Sequence, residues 1–291
     1  MQNQAENGIL TLSIGKKFNK QAKYLAYSCI LNSPSLPRAI ITDNTEYFIG
    51  IYDIIIQYTK EMGDPFYVKL KLHEHSPWFK TLFLDSDTLV YTDLKFLFDY
   101  FGENSIVWRG GCRKEGKWYF NEMADVIKYY NIPFIGKFNS GIFLFKKDET
   151  GINVMNYAAE LHKNNGEGGI SVPYFRQKYL PDEPFLGVAF GKYGQLPVND
   201  YGRLGRTLIN SKKIKLDIIK GIANFEKNGS QMFCAAVHFK GKDYYYPKEK
   251  YKLFMHYYNI PGSTLIAFPV LIFSFCIWFI KKCIKYIKKR I

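Results

Sequence analysis

At 291 residues and 47% hydrophobic content, the chain is long enough for one large α/β domain or two small ones, which excludes a disordered protein. Its net charge is +14, but Lys281, Lys282, Lys285, Lys288, Lys289 and Arg290 supply six of those charges, and the other eight are spread along a body without an Arg-rich stripe. That distribution argues against nucleic acid and suits phosphate-bearing ligands or an anionic membrane surface.

The opening "MQNQAENG" is polar and lacks the basic-then-apolar pattern of a secretory signal, so the body is expected to stay where it is made. Next, "ILTLSIG" reads as a buried strand, "KFNKQAKYLAYSCILN" as a helix and "RAIITD" as a second strand, a β-α-β unit. "YDIIIQY" continues as a third strand, "PFYVKLKLHEH" as a short helix, "KTLFLD" as a strand and "TDLKFLFDYF" as a helix capped by Thr92 or Asp93. This alternation predicts an α/β fold with a mostly parallel sheet covered on both faces. Further on, "SIVWRG" and "FNSGIFLFKK" read as strands, "NEMADVIKYYN" and "INVMNYAAELHKNN" as helices and "GEGG" as a loop. "DEPFLGVAFGKYG" then reads as a helix and "FCAAVHFKG" as a late strand carrying a histidine. Cys29, Cys112, Cys234, Cys276 and Cys283 show no paired spacing, so a reducing compartment is expected, with neither a disulfide framework nor a zinc site. There is no internal repeat or low-complexity linker, which favours a single domain over residues 1–258 followed by a separate segment, 259–291.

In "KTLFLDSDTLVYTDL" the strand runs into Asp85 and Asp87, separated by the small Ser86. Neighbouring like charges repel, and a divalent cation relieves that repulsion while using both carboxylates. Hard oxygen ligands suit Mg²⁺ or Mn²⁺ rather than zinc. The pair also falls past the carboxyl end of a strand, where open α/β sheets bind ligands. Two other readings fit the same letters: a surface turn with two solvated acids, and the D-x-D-x-T nucleophile motif of haloacid-dehalogenase-type phosphatases. The phosphatase motif belongs on the first strand of its domain, whereas this one lies on about the fourth, and no later acidic pair completes its metal site.

The string "KLKLHEHSPWFKTLFLDSDTLVYTDLKFLF", then "FNSGIFLF", "DEPFLGVAF" and "VHFKG" in that order, resembles the retaining glycosyltransferases of family eight, the glycogenin-like and bacterial lipopolysaccharide-type group with a GT-A fold. The similarity runs from roughly Ile9 to Lys242. It implies a hexosyltransferase that moves a hexose from a nucleotide-diphosphate sugar, such as UDP-glucose or UDP-galactose, to a glycan or lipid-linked acceptor. It further implies that Asp85, Asp87 and His238 hold Mn²⁺, or Mg²⁺, on the donor diphosphate, where the ion would act as a Lewis acid. Lys69, sixteen residues before Asp85, matches the donor-binding lysine. Asn139, Ser140 and Gly141 match the donor-contacting turn, Gly241 the glycine after the histidine, and Asp182 and Glu183 the carboxylates beside the sugar, while Lys242, two residues ahead of the family's lysine position, could reach the diphosphate in that lysine's stead.

Each of these residues has an ordinary structural reading as well. Lys69 fits a solvated helix position, "NSG" a plain turn, Asp182 and Glu183 acids at a helix N-terminus, and His238 a buried histidine bonded to backbone. Retention of configuration is compatible with a carboxylate attacking from the far face, for which Asp182 or Glu183 is the candidate. It is equally compatible with an acceptor entering on the leaving-group side, its proton taken by a phosphate oxygen. One departure stands out: the family continues H-F-x-G-x-x-K-P-W, and here "HFKGKDYYY" puts Tyr244 in the lysine's place. That keeps open a non-catalytic, sugar-nucleotide-binding descendant. Acceptor contacts are expected within 110–136 and 191–210.

Finally, "STLIAFPVLIFSFCIWFI" (Ser263 to Ile280) holds eighteen residues without a charge, ahead of the basic tail. It reads as a membrane-associating segment, either spanning or, bent at Pro269, inserted from one side with its lysines on anionic headgroups, ahead of a third reading as a last core helix with a polar tail. The one-sided reading places the catalytic body on the cytoplasmic face.

Overall fold

The computed structural model describes residues 6–173, 179–240, 243–259 and 263–287. In chain order its first elements are β1 (Asn7–Ser13), α1 (Lys16–Asn32), β2 (Arg38–Thr42), β3 (Ile54–Gln57), α2 (Pro65–Leu70), α3 (Leu72–His75), β4 (Lys80–Leu84) and β5 (Thr88–Val90). There follow β6 (Ile106–Val107), β7 (Gly110–Arg113), β8 (Lys117–Trp118), β9 (Asn121–Glu122), α4 (Met123–Tyr130), β10 (Ile135–Phe138), β11 (Ile142–Lys146), α5 (Glu149–Lys163) and α6 (Glu183–Lys192). The last are β12 (Gly205–Thr207), β13 (Ser211–Asp217), β14 (Ile222–Lys227), β15 (Ser230–Phe233), β16 (Ala236–His238), α7 (Tyr246–Tyr257) and α8 (Ser263–Ile287).

The elements fall into two compact units. The first comprises Met1–Asn19, Leu36–Ser86 and Lys95–Asp200; the second comprises Lys20–Ser35, Asp87–Leu94 and Tyr201–Ile291. In the first unit a six-stranded sheet runs β3-β2-β1-β4-β11-β6. The four strands β3, β2, β1 and β4 are parallel, as the alternation predicts. The sheet is nevertheless mixed, because β11 pairs antiparallel with both β4 and β6. No single crossover helix joins β4 to β11. The chain instead returns through β10 and the Asn139–Gly141 turn, so the handedness rule that enforces parallel pairing does not apply. Strand β4 is central, and Thr81, Leu82, Phe83 and Leu84 are all fully buried, as its uninterrupted apolar run requires. Phe83, Phe143, Phe145, Trp108, Phe185 and Phe190 make the heart of this core.

Two helix expectations are corrected here. The stretch 65–75 is two helices, parted at Lys71 (φ −112°, ψ 17°), and Asp64 caps the first by accepting from the Phe66 and Tyr67 amides. The stretch after Asp93 is a 3-10 helix, Lys95–Phe101. Asp93 Oδ1, just ahead of it, accepts from Ser33 Oγ at 2.9 Å.

In the second unit β5 and β12 flank β16, and β13-β14-β15 form an antiparallel sheet over Leu89, Tyr91, Phe225 and Val237. Buried Glu249 of α7 accepts there from the Ile218 amide at 2.6 Å through Oε2, and its Oε1 lies 3.5 Å from Lys252 Nζ. Among the described residues no helix is long and apolar enough to cross a membrane.

Candidate functional site

Four stretches far apart in sequence meet in the first unit at one ammonium group. Lys69 sits on the last turn of α2, whose N-terminus is fixed by the Asp64 cap and Pro65. Its side chain is only 6% exposed, and the Nζ lies 3.0 Å from Asp85 Oδ1, 3.0 Å from Ser140 Oγ and 3.4 Å from Asp182 Oδ2. The Phe83 ring is 4.8 Å away and supplies a cation–π face. Burial by itself would lower the ammonium, but Asp182 and then Asp85 outweigh it and hold the pKa well above the usual lysine value. Lys69 is therefore a permanently charged clamp rather than a solvated helix position.

The other partners are set by local geometry. Asp85 leaves β4 with its amide donating to Gly141 O at 2.9 Å, which fastens the "DSD" segment to the "NSG" turn. Asp182 precedes α6 but its side chain makes no cap bond; 1% exposed, it is turned to Lys69 instead. Its Oδ2 has no hydrogen-bond partner among the described residues. Glu183 is the opposite case: Oε1 accepts from Asn139 Nδ2 at 2.9 Å and the Ser140 amide at 3.2 Å, and Oε2 accepts from the Tyr119 hydroxyl at 2.9 Å. Neither acid is thus a mere dipole complement at the start of a helix.

Tyr119 escapes sequence reasoning. It sits between β8 and β9 at φ 47°, followed by Phe120 at φ 68°, two consecutive bulky residues in the left-handed region. Burial and the Glu183 carboxylate push its pKa far above the ordinary tyrosine value, so it remains a donor. No residue pattern announces such a conformation in a non-glycine pair.

In the second unit β5 and β16 pair antiparallel with Thr88 opposite His238, and Asp87 O accepts from the Phe239 amide at 3.1 Å. This places His238 Nε2 3.0 Å from Asp87 Oδ1. Asp85 is tied to Asp87 through Ser86 alone, and Asp85, Asp87 and His238 make a group that could hold a metal ion. Two carboxylates and one imidazole form a donor set that fits Mg²⁺ or Mn²⁺. Gly241 and Lys242 lie outside the described residues. Tyr244 is a packing residue, its ring 5.2 Å from Phe275 and 5.0 Å from Trp278 of α8. Burial and Tyr245 push its hydroxyl up to about 12.

No protein-family model matches the chain, and no curated protein matches its sequence. Solved structures do share its fold. The galactosyltransferase LgtC, in complex with donor and acceptor sugar analogs, matches with a TM-score of 0.54 at 15% identity over 80% of this chain and 87% of that one. An active-site mutant of LgtC matches with a TM-score of 0.50 at 16% identity over the same shares. The mixed α/β architecture is that of GT-A glycosyltransferases.

Proposed function

We propose that the protein is a divalent-metal-dependent glycosyltransferase that moves a hexose from a nucleotide-diphosphate sugar, UDP-glucose or UDP-galactose, to a glycan or lipid-linked acceptor with retention of configuration. The observation that carries this reading is the convergence of Asp85, Ser140 and Asp182 on the buried Lys69 ammonium. Three motifs that a structural role would leave independent are built into one polar centre.

In this reading Asp85, Asp87 and His238 hold Mn²⁺ or Mg²⁺, which when bound supplies positive charge to the departing diphosphate. The chain's own groups do the rest. Lys69 stays charged and fixes Asp85 and Asp182. Glu183, saturated by three donors, holds Asn139 and Ser140 in place beside the donor sugar. Asp182, held by Lys69 at 3.4 Å, supplies negative charge that opposes the positive charge growing at the anomeric carbon. The bond from that carbon to the diphosphate oxygen breaks, the bond to the acceptor oxygen forms, and the acceptor proton passes to the diphosphate. Residues 263–291 attach the enzyme to the cytoplasmic face of a membrane, a placement supported by the exposed Phe273, Phe279 and Ile280 and the basic residues after them.

The test is Mn²⁺-dependent release of UDP from a panel of nucleotide sugars. Wild-type protein is expected to release UDP from a hexose donor, and Asp87→Ala to abolish the metal-dependent rate. Unchanged turnover in that variant overturns the metal clamp, and donor binding without any turnover in wild type makes the protein a sugar-nucleotide binder instead.

A further inference from the structure

In the second unit, α1 and α7 together present a graded face that the reaction does not use. On α1, Lys20, Lys23, Tyr24, Tyr27, Ile30 and Leu31 share one side by their spacing, and on α7 so do Lys250, Leu253 and Tyr257. Contacts between the helices fix the alignment. Lys250 Nζ stands 5.1 Å over the Tyr24 ring, and the Tyr27 and Tyr257 rings stack at 4.0 Å with planes 12° apart. Lys23 Nζ lies 5.5 Å over Tyr27. Past the tyrosines opens a cavity of about 340 Å³ lined by Tyr27, Ile30, Leu31, Leu253, His256, Tyr257 and Asn259. One end is therefore cationic, the middle aromatic, and the far end a cavity with apolar walls at Ile30, Leu31 and Leu253 and polar groups at His256 and Asn259.

The cationic end is held at a cost. Burial and the nearby Lys20 charge both lower the ammonium of Lys250. Helix α1 contains no acid, and the one acid of α7, Glu249, is fully buried toward Ile218 and Lys252. No acid of these two helices therefore faces Lys20 or Lys250, whose like charges an incoming anion would stabilise. The cavity reaches the lower end of the range for ligand pockets, roughly 300–1,000 Å³.

We propose that this face binds an anionic membrane lipid, its phosphate headgroup at Lys20 and Lys250 and its acyl chain in the cavity beside Ile30, Leu31 and Leu253. A soluble phosphate leaves the apolar end unused. A second copy of this chain docking symmetrically on the same face brings lysines against lysines. The proposal is independent of the glycosyl-transfer reading, since no residue of the metal and carboxylate site takes part.

The experiment titrates the full chain with myristoyl lysophosphatidylglycerol, myristoyl lysophosphatidylcholine and inorganic phosphate, following thermal unfolding. Saturable stabilisation by the anionic lysolipid alone is expected. In Lys20→Gln/Lys250→Gln the anionic lysolipid should bind about tenfold or more weakly, as two headgroup cations are removed. Ile30→Trp, which fills the cavity and keeps the lysines, should lose the response. Phe273→Glu/Ile280→Glu, altered only on α8, should keep it. Equal stabilisation by lysophosphatidylcholine or by inorganic phosphate overturns the proposal. So does an unchanged affinity in the lysine or Ile30 variant, or loss of binding in the α8 variant.

Discussion

At the residue scale the polar centre around Lys69 rests on unequal partners. The Asp182 side chain is 2% exposed and Asp85 31% exposed, so water can rehydrate one carboxylate and not the other. Breaking a buried pair by removing one partner costs about 3–5 kcal/mol because a charge is left without compensation. Lys69→Met is therefore expected to destabilise the protein by that amount in urea unfolding. Adding Asp182→Asn should restore more of the loss than adding Asp85→Asn, and the reverse order would show that Asp182 is not the stranded charge. This centre was legible because each partner lies in a recognisable motif, and a lysine sixteen residues ahead of the acidic pair marks the position. Tyr119 was not legible, since its role depends on a left-handed backbone that tyrosine rarely adopts.

At the element scale the site depends on how closely α6 approaches β10. Gly187 and Gly191 lie one turn apart on α6, and a Cβ at these positions would stand 2.6 Å from Gly136 O and 2.0 Å from Phe134 O. Gly136 lies in the paired strand β10 and Phe134 immediately before it, and their backbone oxygens cannot swing aside as a side chain does. Gly191→Ala is thus expected to lift α6 from β10, lowering stability by about 1–3 kcal/mol, as overpacking does. Because Glu183 begins this helix, its bonds to Asn139 and Ser140 should loosen together. Metal-dependent UDP release should then fall further than the unfolded fraction accounts for. A variant with wild-type melting temperature and turnover would show that the close approach is not needed. The parallel strands and most helices were readable from apolar periodicity, but the β13–β15 sheet was not assigned. Its β14–β15 hairpin carries a usable signal, Asn228-Gly229 with φ 51° and 79°, the pair favoured in two-residue turns. The antiparallel entry of β11 leaves no comparable mark, because alternation fixes element type and not strand direction.

At the scale of the whole molecule, α8 divides its surface in two. Trp278 and Phe275 pack on Tyr244, so the position where the resembled family carries a lysine is used to seat this helix. Ile272, Phe273, Phe279 and Ile280 remain more than half exposed, and the basic residues follow directly. An apolar surface of this kind, next to cations, is stable on an anionic bilayer and costly in water. Full-length protein is therefore expected to float with vesicles containing phosphatidylglycerol and to detach as salt screens the tail. Phe273→Glu/Ile280→Glu should abolish flotation while leaving Tyr244 packed and UDP release intact. Protein lacking residues 263–291 should stay in solution, and its persistence with the vesicles would exclude α8 as the attachment. The two proposed lipid contacts can be separated, because Lys20→Gln/Lys250→Gln should weaken monomeric lysolipid binding and leave the α8 surface whole. If those lysine changes abolished vesicle flotation as completely as the α8 changes do, the attachment would lie on the α1–α7 face, and α8 would be only its cover.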